Sequence, residues 1–313
     1  MKVYCFRSSI PPNINTKEKT DIINFFHEGV IAVGDQSKVI SEQTYDNCDV
    51  GLIIGSYNSQ NPTKTRLPHY HVRKSVVEQQ LSRGQYYVSA DSNVFIYLNK
   101  ENPKHYLRYS FNGVNPAEGI YCNNRWTDDN WNNIQRDYGI NLKPWRKNGN
   151  HILVCCQRPL GWSMRGLNLE TWLDRTIRKI KKNTDRPILV RWHPGDPKSF
   201  PEWQKKIAKF GVIISPTSRH ITEDLKKAHA VVCHNSTPSS VAAIEGVPSF
   251  ITDEPRFSMA GDVVNTDFTQ LETPIFPDRE QWIRKLSQCH WSFDDLRSGR
   301  CWAWMRQWVT AAH

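Results

Sequence analysis

Long hydrophobic runs are missing from this chain. No stretch approaches the ~18 apolar residues of a membrane span, and the run at 1–6 is too short for the core of a secretion signal. The expectation is a cytoplasmic protein without a membrane partner. The eight cysteines, Cys5, Cys48, Cys122, Cys155, Cys156, Cys233, Cys289 and Cys301, include no Cys-x-x-Cys pair and no Cys/His spacing of a zinc site. They read as free thiols, mostly buried, and no bound metal is expected. There is no long block of one charge either. With 38% hydrophobic and 23% charged residues, the composition excludes a disordered chain.

What is present is length enough for two domains and an excess of positive charge. At 313 residues the chain accommodates two units of roughly 150, each able to bury its own core. Forty-one Lys and Arg against 31 Asp and Glu give a formal net charge of +10. Such a surface gains counterion-release free energy on meeting a polyanion, which favours nucleic acid as a partner.

The first half alternates strand-like and helical stretches. Apolar runs at 2–6, 29–33, 50–54 and 86–89 are separated by helical patterns at 17–27 and 72–83 and by a polar loop at 56–68. Alternation of this kind argues for a parallel sheet with helices on both faces. Asp91 falls where the strand at 86–89 stops. Between 99 and 147 the periodicity weakens and Asn, Trp, Tyr, Arg and Pro crowd together, as in an insertion or the end of a domain. The segment 143–150 carries Pro and Gly among polar residues and reads as a linker.

The second half restarts a cleaner pattern, with strands at 151–156, 187–192, 211–214, 230–233 and 249–252 and helices at 168–182, 201–210, 221–228 and 236–245. Five strands separated by helices make a doubly wound sheet, which binds ligands beyond the carboxyl ends of its strands. The loops after Cys156, Trp192 and Cys233 are therefore expected to line one cleft. The expected division is 1–148, 149–277 and a helical tail, 278–313, with Trp282, Trp291, Trp302, Trp304 and Trp308. That tail is expected to bury its tryptophans at the domain junction, the alternative being stacking on DNA bases.

Those three loops carry chemistry suited to anions. In the stretch from His234 to Pro248, a strand delivers Asn235, Ser236, Thr237, Ser239 and Ser240 to a helix start, with Pro238 in the first turn and Gly246 at the helix end. Free N–H groups there suit a phosphate. His193, in Arg-Trp-His-Pro-Gly, places an imidazole at the same edge. Arg158 and Arg165 add guanidinium groups that match phosphate oxygens and offset charge on a departing diphosphate.

A strand ending in His193-Pro194, followed by a strand, a Ser/Thr-rich turn, a helix and Gly246-Val247-Pro248, resembles the donor domain of GT-B glycosyltransferases, including bacterial capsule-type transferases. The resemblance covers about 150–253. It implies an α/β protein of two Rossmann-like domains facing each other across a cleft, with C-terminal helices at the junction. It also implies that His193, Asn235, Ser236, Thr237, Ser239 and Ser240 hold a nucleotide-sugar, expected to be a UDP-sugar. Many members use a helix carboxylate for the ribose, whereas Ala242 and Ala243 occupy this helix and Glu245 lies late. No Asp-x-Asp metal motif is present, in keeping with GT-B donor binding, so a divalent ion is expected at most to stimulate and no cofactor is implied.

Two shorter segments, 85–91 (Gln-Tyr-Tyr-Val-Ser-Ala-Asp) and 49–56 (Asp-Val-Gly-Leu-Ile-Ile-Gly-Ser), resemble phage DNA β-glucosyltransferases, which glucosylate 5-hydroxymethylcytosine. This resemblance implies Asp91 as the general base for the acceptor hydroxyl. It also implies double-stranded DNA with a modified base as the partner, in the cytoplasm of an infected bacterium if the chain is viral. The base would be flipped out toward Asp91. Arg125, Trp126, Arg136 and Arg146, in the Arg/Asn/Trp-rich segment, are the candidates for phosphate contact and stacking. Two alternatives stand beside this expectation: a capsule or lipopolysaccharide sugar as acceptor, or a non-catalytic nucleotide- or DNA-binding protein. Oligomeric state is left open.

Overall fold

The computed structural model describes residues 1–12, 16–57, 67–98, 101–159 and 161–310. The chain forms two compact units. One comprises Met1–Asn93, Glu101–Tyr138 and Arg284–His313, the other Val94–Lys100 and Gly139–Ile283.

The first unit contains β1 (Lys2–Phe6), α1 (Thr16–Ala32), β2 (Gln36–Ile40), β3 (Val50–Ile54), α2 (Pro68–Ser82), β4 (Tyr86–Ser92), β5 (Leu107–Phe111) and α3 (Asp128–Tyr138). Its six-stranded sheet has the order β11-β5-β4-β3-β1-β2, where β11 (His290–Trp291) comes from the C-terminal segment. The pairs β1/β2, β1/β3 and β3/β4 are parallel, while β4/β5 and β5/β11 are antiparallel. β3 is buried at every position, as a strand covered on both faces must be. Successive residues serve opposite faces. Val3, Cys5, Val50 and Leu52 join Ile22, Ile23 and Phe26 of α1 in one core, while Phe6 and Ile53 pack with Val72 and Val76 of α2 in another.

The second unit contains β6 (His151–Cys155), α4 (Leu169–Lys181), β7 (Ile188–Arg191), α5 (Phe200–Ala208), β8 (Ile213–Ile214), α6 (Ile221–Leu225), β9 (Ala228–Cys233), α7 (Pro238–Ile244) and β10 (Ser249–Ile251). Its five strands are all parallel, in the order β10-β9-β6-β7-β8. α4 shows why such helices form: Leu169, Trp172, Leu173, Thr176, Ile177 and Ile180 are buried at helical spacing. The Asn168 side chain accepts from Thr171 N at 3.0 Å and caps its start.

α8 (Glu280–Gln288) carries the chain from the second unit back to the first, where α9 (Phe293–Arg297) and α10 (Arg300–Thr310) follow β11. Trp302, Met305 and Val309 of α10 enter the same core as α1. Trp302 Nε1 donates to Asp35 at 2.8 Å. α1 and α9 approach at Gly29, where a Cβ would lie 1.9 Å from the Leu296 carbonyl oxygen.

Several expectations are corrected here. Residues 29–33 are not a strand: α1 runs through Ala32, because the buried stripe Ile22, Ile23, Phe26, Val30 continues at helical spacing and Gly29 serves the approach of α9. The stretch 99–147 supplies β5 and α3, which its dense polar and aromatic composition concealed. β4 extends through Ser92, so Asp91 lies within the strand, opposite Arg108 of β5. The linker-like 143–150 belongs to the second unit, and the division falls at Tyr138/Gly139 instead. Lys143 N donates to Ile244 O at 2.9 Å, and Arg279 Nη2 to Lys143 O at 2.7 Å. Gly246, at φ +74°, leaves room for Pro144 O, which a Cβ would meet at 2.1 Å. Part of the loop at 56–68 lies outside the described residues. Among those described, no helix is long and apolar enough to cross a membrane.

Candidate functional site

All strands of the second sheet point the same way, so the residues that follow them gather along one edge. Gln157 leaves β6 and reaches the loop after β9: its Nε2 donates to Asn235 Oδ1 at 3.0 Å and to Ser163 Oγ at 2.6 Å. Asn235 Nδ2 in turn donates to Ser163 O at 2.9 Å and to Asp253 Oδ2, beyond β10, at 2.8 Å. Asn235 was a sequence candidate for ligand binding, but its amide is occupied in joining these loops. Asp253 and Gln157 are the framework residues that sequence reasoning did not single out. A polar side chain directly after a fully buried strand was the available signal.

Arg165 Nη1 donates to Asp253 Oδ1 at 2.8 Å, and its guanidinium lies 3.6 Å over the Phe257 ring. The Arg165 backbone is left-handed, φ +49°, and Gly166 follows at φ +80°. A non-glycine residue held there stores local strain, of a kind that concentrates at ligand-handling loops.

His234, buried beside this ion pair, is oriented by a chain of donors. Trp172 Nε1 donates to Thr252 Oγ1 at 2.7 Å, and Thr252 Oγ1 lies 2.9 Å from His234 Nδ1. If the Thr252 hydroxyl donates to Nδ1, the ring proton sits on Nε2, which faces Asp253 Oδ2 at 3.6 Å. The opposite tautomer would set a lone pair against a carboxylate. Burial lowers the His234 pKa, Asp253 opposes that, and the Arg165 charge adds to it.

The His193-Pro194-Gly195 turn follows β7. Gly195 N donates to His193 Nδ1 at 3.0 Å, which leaves the proton of the neutral ring on Nε2. Burial, aided by the Arg158 charge, pushes the His193 pKa down to about 4. The imidazole is therefore neutral near pH 7 and acts as a hydrogen-bond donor, not a cation. The Arg158 guanidinium lies against Gly195 so closely that a Cβ there would stand 2.0 Å from Nη2. Arg158 and His193, from two different loops, are thus brought together, and Gly195 is the unexpected third member.

The hydroxyl-rich turn divides. Ser236 Oγ and Ser240 Oγ are buried without a hydrogen-bond partner among the described residues. Ser239 Oγ donates to Ser236 O at 2.8 Å and lies 3.2 Å from Ser258 Oγ, so it closes the turn. Thr237 occupies the position before α7 in helical conformation and its side chain caps nothing. The helix expected at 236–245 is shorter, seven residues, Pro238–Ile244.

In the first unit, Asp91 Oδ2 accepts from Arg108 Nη2 at 2.7 Å, while Oδ1 receives no hydrogen bond from the described residues. Arg108 is a partner the sequence did not disclose, because only the register Asp91↔Arg108 brings the two together.

The DNA-contact candidates do not form one set. Arg146 Nη1 donates to Leu225 O at 2.5 Å and Ala228 O at 2.9 Å within the second unit, where it satisfies strand and helix-end carbonyls. Arg125 lies 4.7 Å over Trp308 and 5.5 Å over Trp304 and also donates to Gln307. Arg136 is exposed beside Asp137 at 2.9 Å, and Trp126 is half-buried.

No family model matches the chain, and neither does any curated protein sequence. Among solved structures it is similar to the KpsC beta Kdo 2,7 transferase of Thermosulfurimonas dismutans, with a TM-score of 0.55 and 13% identity over 96% of this chain and 98% of that one. It is also similar to the KpsC beta Kdo 2,4 transferase of the same organism, with a TM-score of 0.54 and 12% identity over 92% of this chain and 90% of that one. At such identities the likeness shows the fold: two Rossmann-like α/β units of the GT-B type.

Proposed function

We propose that the protein is a glycosyltransferase that binds a nucleotide-activated sugar at the strand-end loops of its second unit and transfers the sugar to a saccharide hydroxyl. The observation that carries this reading is the pairing of Arg158 with the neutral His193 around Gly195. A cation and an Nε2–H donor together suit the two phosphates of a leaving nucleotide. The unpartnered hydroxyl of Ser236 adds a donor, and Thr237 stands next to it. A fold shared with proteins described as Kdo transferases supports sugar transfer and favours a saccharide acceptor.

In the proposed step Asp91 takes the proton of the acceptor hydroxyl, and the hydroxyl oxygen forms a bond to the anomeric carbon. The bond from that carbon to the phosphate breaks, and its electrons leave with the nucleotide. Arg108 orients Asp91 and leaves Oδ1 for the acceptor. Arg158 and His193 offset the charge on the leaving group. No metal is needed in this scheme.

A second reading keeps the donor site and takes DNA with a hydroxymethylated pyrimidine as acceptor; the +10 net charge favours it. The occupied guanidinium groups of Arg146 and Arg125 weigh against it. Mass spectrometry after incubation with a panel of UDP- and CMP-sugars, offered with oligosaccharides or with hydroxymethylated DNA, separates the two. A sugar mass gained by an oligosaccharide supports the proposal, and a gain on DNA alone transfers it to the second reading. If no donor is bound, hydrolysed or transferred, both fail.

A further inference from the structure

We infer that Lys19 and Arg73 form an anion-recognition site in the first unit, at the carboxyl ends of β1, β3 and β4, which takes the carboxylate or phosphate group of a small acidic ligand. Arg73 extends from α2 across Gly55, whose absent Cβ would lie 3.3 Å from Nη1 and 3.6 Å from Cζ. Its Nε donates to Ser9 O at 2.9 Å and its Nη1 approaches Ser56 O at 3.4 Å. These carbonyls fix the guanidinium without neutralising it, and Nη2 has no partner among the described residues. Nor does any described carboxylate stand within ion-pair distance of Arg73. Asp91 is near enough for its charge to act on Arg73, yet it is bound to Arg108 instead.

Lys19 of α1 is half-buried and likewise forms no ion pair among the described residues. Burial and the Arg73 charge both lower its pKa, and the Glu18 charge opposes them. Burial pushes the Arg73 pKa down to about 10, against the opposing effects of Tyr70 and Asp91. Ser8 Oγ, one residue from the carbonyl that holds Arg73, is buried without a hydrogen bond among the described residues. Two half-buried cations that pair with no carboxylate among the described residues cost free energy that an incoming anion recovers. A guanidinium with free N–H groups also matches a carboxylate or phosphate in a fork. The ends of parallel strands are where sheets of this type receive ligands.

Beside Asp91, the ligand is an acidic sugar whose hydroxyl is the acceptor. That identification rests on the reading of Asp91 as the base; the anion site does not.

Isothermal titration with glucuronate, glucose 6-phosphate and neutral glucose tests the site on the whole protein and on R73Q, R73K, K19Q and R158Q. At least one acid is expected to bind and glucose is not, and whichever acid binds tells carboxylate from phosphate. R73Q and K19Q are expected to weaken acid binding about tenfold or more, equivalent to ~1.4 kcal/mol, with R73K intermediate and R158Q unchanged. The inference is overturned if no acid binds at about 10 mM, if glucose binds as well as the acids, if R158Q removes the binding, or if folded R73Q and K19Q both retain it. D91N keeps acid binding in either case; should it also keep transfer, the reading of Asp91 fails while the anion site stands.

Discussion

Among single residues, Gly195 makes the sharpest claim. A methyl group there meets only the far end of the Arg158 side chain, at 2.0 Å from Nη2, which moves at little cost to folding. Gly195→Ala is therefore expected to leave the melting temperature unchanged while nucleotide-sugar binding, followed by titration calorimetry, weakens about tenfold (~1.4 kcal/mol). Unchanged binding would remove Arg158 from the donor site. Asp91→Asn keeps the shape and removes the proton acceptor. Transfer should fall by roughly 10²–10⁴-fold, the range that a positioned general base contributes, with donor affinity retained. Wild-type turnover in this variant would end the assignment. Neither residue is legible in the same way. Asp91 stands out in the sequence as a carboxylate at the end of an apolar run, whereas the importance of Gly195 depends on a guanidinium 37 positions earlier in the chain.

For elements, the contact between α1 and α9 shows what composition conceals. Gly29 inside a long helix is a local disadvantage, and a reader of the sequence alone starts a strand there. Its use is the closeness of Leu296 O and of Gly299, itself at φ +82°. Gly29→Ala forces the helices apart and is expected to cost about 1–3 kcal/mol, as overpacking does, measured by urea unfolding. A cost near zero would mean that the two helices do not pack as described. α4 is the opposite case: its buried stripe, its Asn168 cap and its basic last turn are all local, and its expected limits lie within a residue of those observed. β5 was hidden because its residues Arg108, Tyr109 and Ser110 acquire burial only from neighbours, β4 on one side and β11 on the other.

Across the whole molecule, six histidines share one direction. Burial is the first cause in lowering the pKa of His27, His151, His193, His229, His234 and His290, with His193 reaching about 4 and His290 about 3. A histidine whose folded pKa lies below its unfolded value takes up a proton more readily once unfolded. Stability is thus complete above about pH 6.5 and falls as the pH drops toward the folded values, by up to ~1.4 kcal/mol per pH unit for fully buried His290 and less for the more exposed rings. Unfolding by urea at pH 7 and pH 5 checks this, and equal stabilities would contradict the burial of these rings.

The sequence by itself determined the α/β class and the alternation in both halves, because burial on both faces of a parallel strand and on one stripe of a helix leaves a local periodic mark. It also determined which loops follow strand ends, and so placed Arg158, His193 and Ser236 on one edge. Tertiary structure decided the rest. Which arginine holds a carboxylate (Arg108 with Asp91) and which is fixed by a backbone carbonyl (Arg73 with Ser9) depend on partners well away in the sequence. Charge and hydrogen-bond satisfaction are set by proximity in space, and proximity between distant residues leaves no periodicity along the chain.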